Sequence, residues 1–210
     1  WKIEPMINFS LTNEQIEVAR MVKEFAEREV YPTIKEYDRR QEMNPDTLPR
    51  MAELGILGIN TPVRYGGQGF DYITLGLVCE ELERVDTTLR VVMSVPMGLN
   101  SMGLLQWATE EQKQQFLAPQ ARGEKYAGFC LTEPGAGSDV ASMRSTARRD
   151  GDDYIISGEK MWISLATKAH HFLWFAKTDP QADPAHKGIT AFVVESDMAG
   201  VTSGDIHDKL

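Results

Sequence analysis

The segment TEPGAGSD at residues 132–139 is the part of the chain whose residue types could carry chemistry, and it follows a short apolar run. Gly135 and Gly137 can adopt backbone conformations that are closed to other residues, and they let a ligand approach the main chain closely. Successive N–H groups in such a loop can form an anion-binding nest. Thr132 and Ser138 add hydroxyl groups that can donate or accept hydrogen bonds. The loop therefore suggests a ligand that carries phosphate.

A second segment, GEKMWIS at residues 158–164, places a large aromatic side chain two residues before a hydroxyl. Together the two segments suggest a site for a flat, phosphate-bearing cofactor. Each segment also has a simpler interpretation. The first could be an ordinary turn with Ser138 or Asp139 as a helix cap, and Trp162 could be a core aromatic on a strand.

These two segments resemble the TEPGAGSD signature and the W-I-T/S element of the acyl-CoA dehydrogenase family of flavoenzymes, and the resemblance extends from about Phe9 onward. It implies FAD as the cofactor. Thr132 is expected at the pyrimidine edge of the isoalloxazine, Ser138 near the pyrophosphate and the acyl-CoA, Trp162 on the ring, and Ser164 toward N5. The complete set of expected cofactor-binding residues is Phe129, Cys130, Leu131, Thr132, Gly137, Ser138, Trp162, Ile163 and Ser164.

A third group of residues concerns the substrate. Arg90 and Ser94 are four residues apart, so on a helix they share a face and could bind a carboxylate. The surrounding sequence resembles the glutaryl-CoA dehydrogenase branch, which implies a short-chain or dicarboxylic acyl-CoA bound by Ser138, Arg90 and Ser94. Alternatively, Arg90 is a solvated surface residue paired with Glu83 or Asp86.

The resemblance implies α,β-dehydrogenation of an acyl-CoA thioester to the enoyl-CoA, in fatty acid or amino acid catabolism. It also implies an electron-transferring flavoprotein as the electron acceptor and a homo-oligomeric full-length protein. The family's catalytic base is a Glu of a C-terminal helical domain, and because no residue here matches it, we assign no catalytic residue and expect the chain alone to be inactive. Two alternatives stay open: a flavin-dependent oxidase or monooxygenase on the same scaffold, and a non-catalytic flavin-binding module.

Charge and composition exclude several classes of function. The formal net charge of −9 argues against nonspecific binding of nucleic acid, which depends on clustered Lys and Arg. No apolar run is long enough to predict membrane insertion, and no signal for secretion is evident. Cys79 and Cys130 stand alone in apolar sequence, which predicts buried thiols in a reducing compartment, either a bacterial cytoplasm or the mitochondrial matrix. His170 and His171 are adjacent, so on a strand they point to opposite faces, and no metal site is expected.

Apolar spacing along the chain predicts helices first and strands afterwards. We place a domain boundary near Gly123, with a helical domain at residues 1–123 and a β-domain at residues 124–210. The predicted fold class is α+β, with an all-helical N-terminal domain, an antiparallel β-barrel-like middle domain, and the family's C-terminal helical domain absent. Strands are predicted at 126–131, 145–148, 154–157, 160–164, 172–177 and 189–195.

Overall fold

The computed structural model describes residues 10–206. Helices occupy the chain up to residue 121, and a five-stranded mixed sheet follows. The predicted order of helices before strands is confirmed.

The helical segments are α1 (Asn13–Phe25, continued as π-helix over Ala26–Val30), α2 (Ile34–Arg40), α3 (Thr47–Glu53), α4 (Tyr72–Glu83), α5 (Thr87–Val92, continued as π-helix over Met93–Asn100), α6 (Ser101–Trp107), α7 (Glu110–Gln112, continued as π-helix over Lys113–Leu117) and α8 (Ala118–Ala121). Short 3₁₀ turns lie at Val63–Tyr65, Val140–Ser142 and Ala185–Gly188.

Local sequence explains where the main helices begin. The Thr12 hydroxyl accepts from the Gln15 N–H at 3.1 Å, and the Gln15 carboxamide accepts from the Thr12 N–H at 3.0 Å. This reciprocal pair is a capping box, which satisfies two backbone donors at the first turn of α1. Thr109 and Gln112 form the same arrangement at α7.

The helices bury their apolar faces against one another. The largest cluster joins α1, α3, α4, α5 and the chain between α3 and α4, and among its most buried members are Val22, Met51, Ile56, Val78, Leu82 and Leu89. Burial of side chains of this size stabilises the fold by about 1.5–3 kcal/mol each. No helix among residues 10–206 combines the length and the apolarity needed to cross a bilayer.

The strands are β1 (Ala127–Cys130), β2 (Thr146–Asp150), β3 (Asp153–Ser157), β4 (His171–Lys177) and β5 (Ile189–Glu195). The prediction of an antiparallel barrel is wrong. β4 pairs with β1 and β2 in parallel, only the β2–β3 and β4–β5 pairs are antiparallel, and the sheet is open. The β2–β3 pair is a hairpin, whereas the long connection from β1 to β4 lets the two strands run in the same direction.

The predicted strand at residues 160–164 is also wrong, because this segment is irregular and turns at Trp162 and Leu165. Both residues have left-handed backbone angles, with φ of 62° at Trp162 and 60° at Leu165. Residues of a regular β-strand have negative φ. The segment instead lies beside the end of β1, where it forms part of the candidate site.

The helical region contacts the sheet directly. The Met93–Asn100 segment packs against β1, and the buried Asn100 carboxamide donates to the Gly128 carbonyl at 3.3 Å. A side chain at Gly103 of α6 would collide with Leu173 of β4, because a Cβ there would lie 2.7 Å from the leucine Cδ2. This close packing fixes the position of β1, and with it the loop that follows.

Candidate cofactor site

The loop that follows β1 is a tight turn with an open main chain. The Glu133 and Ala136 backbones hydrogen bond to each other twice, each at 3.1 Å. Pro134 and Gly135 occupy the centre of this four-residue turn, positions that these two residue types favour. A Cβ placed at Gly135 or Gly137 would have no atom within 4 Å. The main chain of the turn is therefore accessible to a ligand.

The side chain of Glu133 points inward and anchors the turn. Its carboxylate is 5% exposed and accepts from the backbone N–H groups of Arg144 at 2.5 Å and Ser145 at 3.0 Å. Burial alone would raise the pKa of this carboxyl, but the hydrogen bonds from Arg144, Ser145 and Lys160 outweigh it and lower the pKa to about 2. Glu133 is thus a fixed anion at neutral pH and is unsuited to accept a proton from a substrate.

Lys160 connects the second segment to this anion. Its ammonium, on a side chain that is 2% exposed, donates to Glu133 at 2.9 Å and to the Leu131 carbonyl at 3.1 Å. It also lies 5.7 Å from the centre of the Trp174 ring, within the range of a cation–π interaction. A charged Lys is almost never buried unless it is paired, and here it joins two segments of chain.

The second segment runs alongside β1 in the opposite direction. The Met161 N–H donates to the Thr132 carbonyl at 2.9 Å. Further along, Ile163 lies over Gly128, where an added Cβ would be 3.1 Å from the isoleucine Cγ2. Trp162, between these two contacts, is 59% exposed. The structure therefore brings the Thr132 and Trp162 segments together, as the sequence suggested.

The nine expected cofactor residues differ in burial and in whether the side chain or the main chain is accessible to a ligand. Cys130 is buried with Ile163 and Phe172, as predicted, and burial raises the pKa of its thiol to about 12, whereas Cys79 is only partly buried. Phe129 packs on Phe175 at 5.2 Å between ring centres. Leu131, Thr132 and Ser164 are half-buried, and Gly137 and Ser138 are exposed. Cys130 and Phe129 have inward packing partners, so their main chain is the part best placed to meet a ligand.

The polar groups at the surface of the site fit a flavin. Within residues 10–206, no hydrogen bond is formed by the hydroxyls of Thr132, Ser138 and Ser164 or by the N–H of Thr132. The exposed Trp162 indole provides a flat apolar surface on the segment that is bonded to the Thr132 carbonyl through Met161. An isoalloxazine has a polar edge that can accept hydrogen bonds and a flat apolar ring. The hydroxyl and amide donors suit the edge, and the aromatic face suits the ring.

The substrate group predicted at α5 forms a separate cluster. The Arg90 guanidinium donates to Glu83 at 2.7 Å and to the Ser94 hydroxyl at 3.2 Å. Hydrogen bonds from Arg90 and then Thr87 lower the pKa of the Glu83 carboxyl. The Arg90–Ser94 contact agrees with a shared helix face, and the Arg90–Glu83 pair agrees with the alternative of a surface ion pair. No hydrogen bond or ring contact among the described residues links this cluster to Thr132 or Trp162.

His171, the first residue of β4, and His170, which precedes it, face opposite sides, as predicted. The exposed His170 accepts from the Tyr126 N–H at 3.0 Å, whereas His171 is buried beside Phe116. Among residues 10–206, no three His, Cys, Asp or Glu side chains are grouped so that they could hold a metal ion.

Sequence reasoning missed the Glu133–Lys160 ion pair. The only signal in the sequence was that the acid Glu133 lies in the first motif segment and the base Lys160 in the second. Their pairing was not evident, because charges next to glycine-rich turns are usually solvated.

Comparisons with known proteins agree with the arrangement of domains and site. Residues 12–124 match a family model for the N-terminal domain of acyl-CoA dehydrogenases, and residues 128–210 match the model for their middle domain. A 3-(aryl)acrylate reductase of Clostridium sporogenes is 39% identical over 94% of this chain and 52% of its own length. A short-chain specific acyl-CoA dehydrogenase of Clostridium acetobutylicum is 38% identical over 97% of this chain and 53% of its own.

Among solved structures, a glutaryl-CoA dehydrogenase of Mycobacterium smegmatis in complex with FADH2 is similar, with a TM-score of 0.88 and 34% identity. The match covers 95% of this chain and 50% of that one. The chain thus spans about half the length of the relatives it matches. With both family models matched in order along the chain, this protein belongs to the acyl-CoA dehydrogenase family.

Proposed function

We propose that the turn after β1 and the Trp162 segment together bind the isoalloxazine of FAD. The observation that carries this proposal is the junction of the two segments at Leu131 and Thr132, which places unused donors beside an exposed indole. Membership in the family supports it, as does the M. smegmatis relative, whose structure is a complex with FADH2.

The residues of the site have distinct roles in this proposal. Thr132 donates to the pyrimidine edge of the ring, where a donor stabilises the negative charge of the reduced flavin. Trp162 covers the ring, and Ser164 donates toward N5. Ser138 lies near the pyrophosphate and the acyl-CoA. The remaining members contribute mainly packing and main-chain contacts: Phe129, Cys130, Leu131, Gly137 and Ile163.

Titration of the chain with FAD tests this site. We expect saturable binding, seen as a change in the flavin spectrum and quenching of tryptophan emission. Thr132→Val and Trp162→Leu should each weaken binding, because one removes the hydroxyl donor and the other the flat surface. Thr146→Val and Trp107→Leu are matched controls at exposed positions elsewhere and should leave the affinity unchanged. Equal affinity of all four variants would refute the proposed site.

For the complete protein we propose α,β-dehydrogenation of an acyl-CoA thioester. Bound FAD supplies the acceptor for the hydride of the β-carbon, while this chain holds the ring and shields it from water. No residue of this chain is assigned as the base. We therefore expect acyl-CoA-dependent dye reduction only from a protein that also contains a C-terminal helical domain. Turnover by the 210-residue chain alone would contradict this division of labour.

We further propose a short-chain or dicarboxylic acyl group, held at its distal end by Arg90 and Ser94. The Arg90–Glu83 pair is exposed, and pairs of this kind contribute about 0–1 kcal/mol, so a substrate carboxylate could compete for the guanidinium. In the complete enzyme, Arg90→Ala should reduce kcat/KM for glutaryl-CoA far more than for butyryl-CoA. Arg84→Ala, which breaks another exposed pair on α4, is the matched control. An equal loss on both substrates would reject the carboxylate-binding role.

The electron acceptor, the oligomeric state and the compartment of the complete protein are proposed from its family. We propose an electron-transferring flavoprotein as the electron acceptor, a homo-oligomeric complete protein, and a bacterial cytoplasm or mitochondrial matrix as the compartment. The domain boundary near Gly123 likewise stays a proposal, and limited proteolysis that releases a stable fragment ending near this residue would support it.

The relative named 3-(aryl)acrylate reductase favours a second candidate, which is reduction of a conjugated double bond at the same site. Reduction of an arylacrylate by the complete protein, with reduced dye as the electron donor, would favour this direction. Oxygen consumption coupled to acyl-CoA oxidation would favour an oxidase instead. The absence of any acyl-CoA effect on the flavin spectrum would favour a non-catalytic flavin-binding module.

A further inference from the structure

We propose that Lys160 is a positioning residue of the flavin site: its buried ammonium fixes the Trp162 segment to the turn after β1 and thereby sets the distance between the indole and the donors of Thr132. This inference rests on the proposed function where it concerns flavin, although the geometry it invokes belongs to the chain alone.

The first step of the argument is that Lys160 has partners on both sides. It donates to the Leu131 carbonyl and to Glu133, and the Trp174 ring lies beneath it. Glu133 is in turn fixed by the backbone N–H groups of Arg144 and Ser145. A continuous series of contacts therefore runs from the backbone before β2, through two buried charges, to the backbone at the end of β1.

The second step is that the Trp162 side chain forms no hydrogen bond, ring stacking or cation–π contact with any residue in the range 10–206 that could fix it independently. Its indole is 59% exposed. Its φ of 62° is a strained angle for a bulky residue, and such angles persist only where the surroundings impose them. The two residues before it supply that restraint, since Lys160 and Met161 are both bonded to the turn after β1.

The third step is that stability alone does not require a charged pair here. Replacing a buried ion pair by apolar residues of similar size is often neutral or stabilising. An apolar pair at positions 133 and 160 would, however, lose the directional bonds to Leu131, Arg144 and Ser145. A substitution in this ion pair can therefore change the position of the indole without lowering the stability of the fold, and the two effects can be measured separately.

The test uses the 210-residue chain with Lys160→Met, Glu133→Gln and the combination of both. Lys23→Met is the matched control, because Lys23 forms an exposed ion pair on α1. The first readout is fluorine NMR of the ligand-free chain labelled with fluorotryptophan, in which the Trp162 signal is assigned from Trp162→Phe. The second readout is the dissociation constant for FAD, and the third is the midpoint potential of the bound flavin, all measured well below the unfolding temperature.

We expect Lys160→Met and Glu133→Gln each to shift or broaden the Trp162 signal and to leave the Trp107 signal in place. Both should weaken FAD binding by up to about tenfold, because a side chain that is no longer held in place must be ordered on binding, and both should change the flavin potential. If a single variant fails to fold, the combined variant, which leaves no unpaired buried charge, provides the same readouts. Lys23→Met should change none of them.

Two failures are distinguishable. If the Trp162 signal and the FAD affinity of the Lys160 and Glu133 variants equal those of the unaltered chain, while only the melting temperature falls, the positioning role is refuted. If the unaltered chain binds no FAD, yet the Trp162 signal responds to both substitutions, the proposed flavin site is refuted and the positioning of the indole by Lys160 stands.

Discussion

Acid should destabilise this fold through His171, which lies in β4 between Ala127 of β1 and Glu195 of β5. The imidazole is 1% exposed and lies 5.2 Å from the Phe116 ring, centre to centre. Among residues 10–206, neither ring nitrogen has a hydrogen-bond partner. Burial, with smaller contributions from the charges of Lys125 and His170, lowers the pKa of this imidazole from 6.5 to about 4.

The sign and size of the effect follow from this shift. In the unfolded chain His171 takes up a proton near its ordinary pKa, but in the folded chain it does so only near pH 4. Between these two values the unfolded state binds more protons, so stability falls as the pH decreases through this window and levels off below it. A shift of about 2.5 units, at about 1.4 kcal/mol per unit, corresponds to a loss of about 3 kcal/mol.

The perturbation is His171→Phe, which keeps an aromatic ring against Phe116 and removes the titration. Urea unfolding at about pH 7, about pH 5.5 and about pH 4 gives the free energy of each protein at each pH. The stability of the unaltered chain relative to the variant should fall by about 3 kcal/mol from the highest pH to the lowest. Any loss of stability caused by the larger ring is the same at every pH, so it cancels when the values at two pH values are subtracted. His171→Leu provides a second apolar replacement.

His186→Gln is the matched control, because His186 is exposed and its replacement should leave the pH dependence unchanged. A difference between the unaltered chain and His171→Phe that stays constant across these pH values would refute the reasoning. An NMR titration of the imidazole provides an independent check. A midpoint for His171 near the ordinary value of 6.5 would contradict the buried, unpaired state.

Three further predictions concern stability. Glu133→Gln should lower the free energy of unfolding at neutral pH by about 3–5 kcal/mol. It should also reduce the loss of stability that the unaltered chain shows as the pH falls from about 4.5 to about 2, because the share due to Glu133 is removed, again measured by urea unfolding. Gly123→Ala should be more damaging than Gly151→Ala in thermal unfolding, because both have positive φ but only the former would place a Cβ 2.3 Å from that of Ala52; equal losses would deny this contact. Thr12→Ala should cost about 1 kcal/mol by removing the cap of α1, and no change in melting temperature would contradict the capping role.

Features encoded locally were predictable from the sequence. The capping boxes at Thr12 and Thr109 depend on two side chains three residues apart, so both helix starts could be recognised. The strand at Ile189–Glu195 was predicted with its observed bounds. The β2–β3 hairpin falls on the predicted strands at 145–148 and 154–157, with Gly151 in the turn between them.

Features that depend on distant contacts were not predictable. The parallel pairing of β1 with β4 joins Ala127 to His171, and alternation within each strand says nothing about which strands pair or in which direction. The segment around Trp162 contains residues that favour strands, yet it turns, because Lys160 and Met161 are bonded to the chain after β1. Tertiary contacts override local preference here.

The two ion pairs that belong to the proposed sites illustrate why residue type alone did not assign roles. Glu133–Lys160 and Glu83–Arg90 are each a carboxylate and a cation at hydrogen-bonding distance, 2.9 Å and 2.7 Å respectively. The first is buried, and because breaking it would leave a charge without solvent or partner, Lys160 is committed to the fold and closed to a substrate. The second is exposed, so water can replace either partner at little cost and Arg90 stays available to an incoming carboxylate. Burial therefore suits the buried pair to holding the proposed cofactor site, and exposure suits the other pair to the proposed selection of the acyl group.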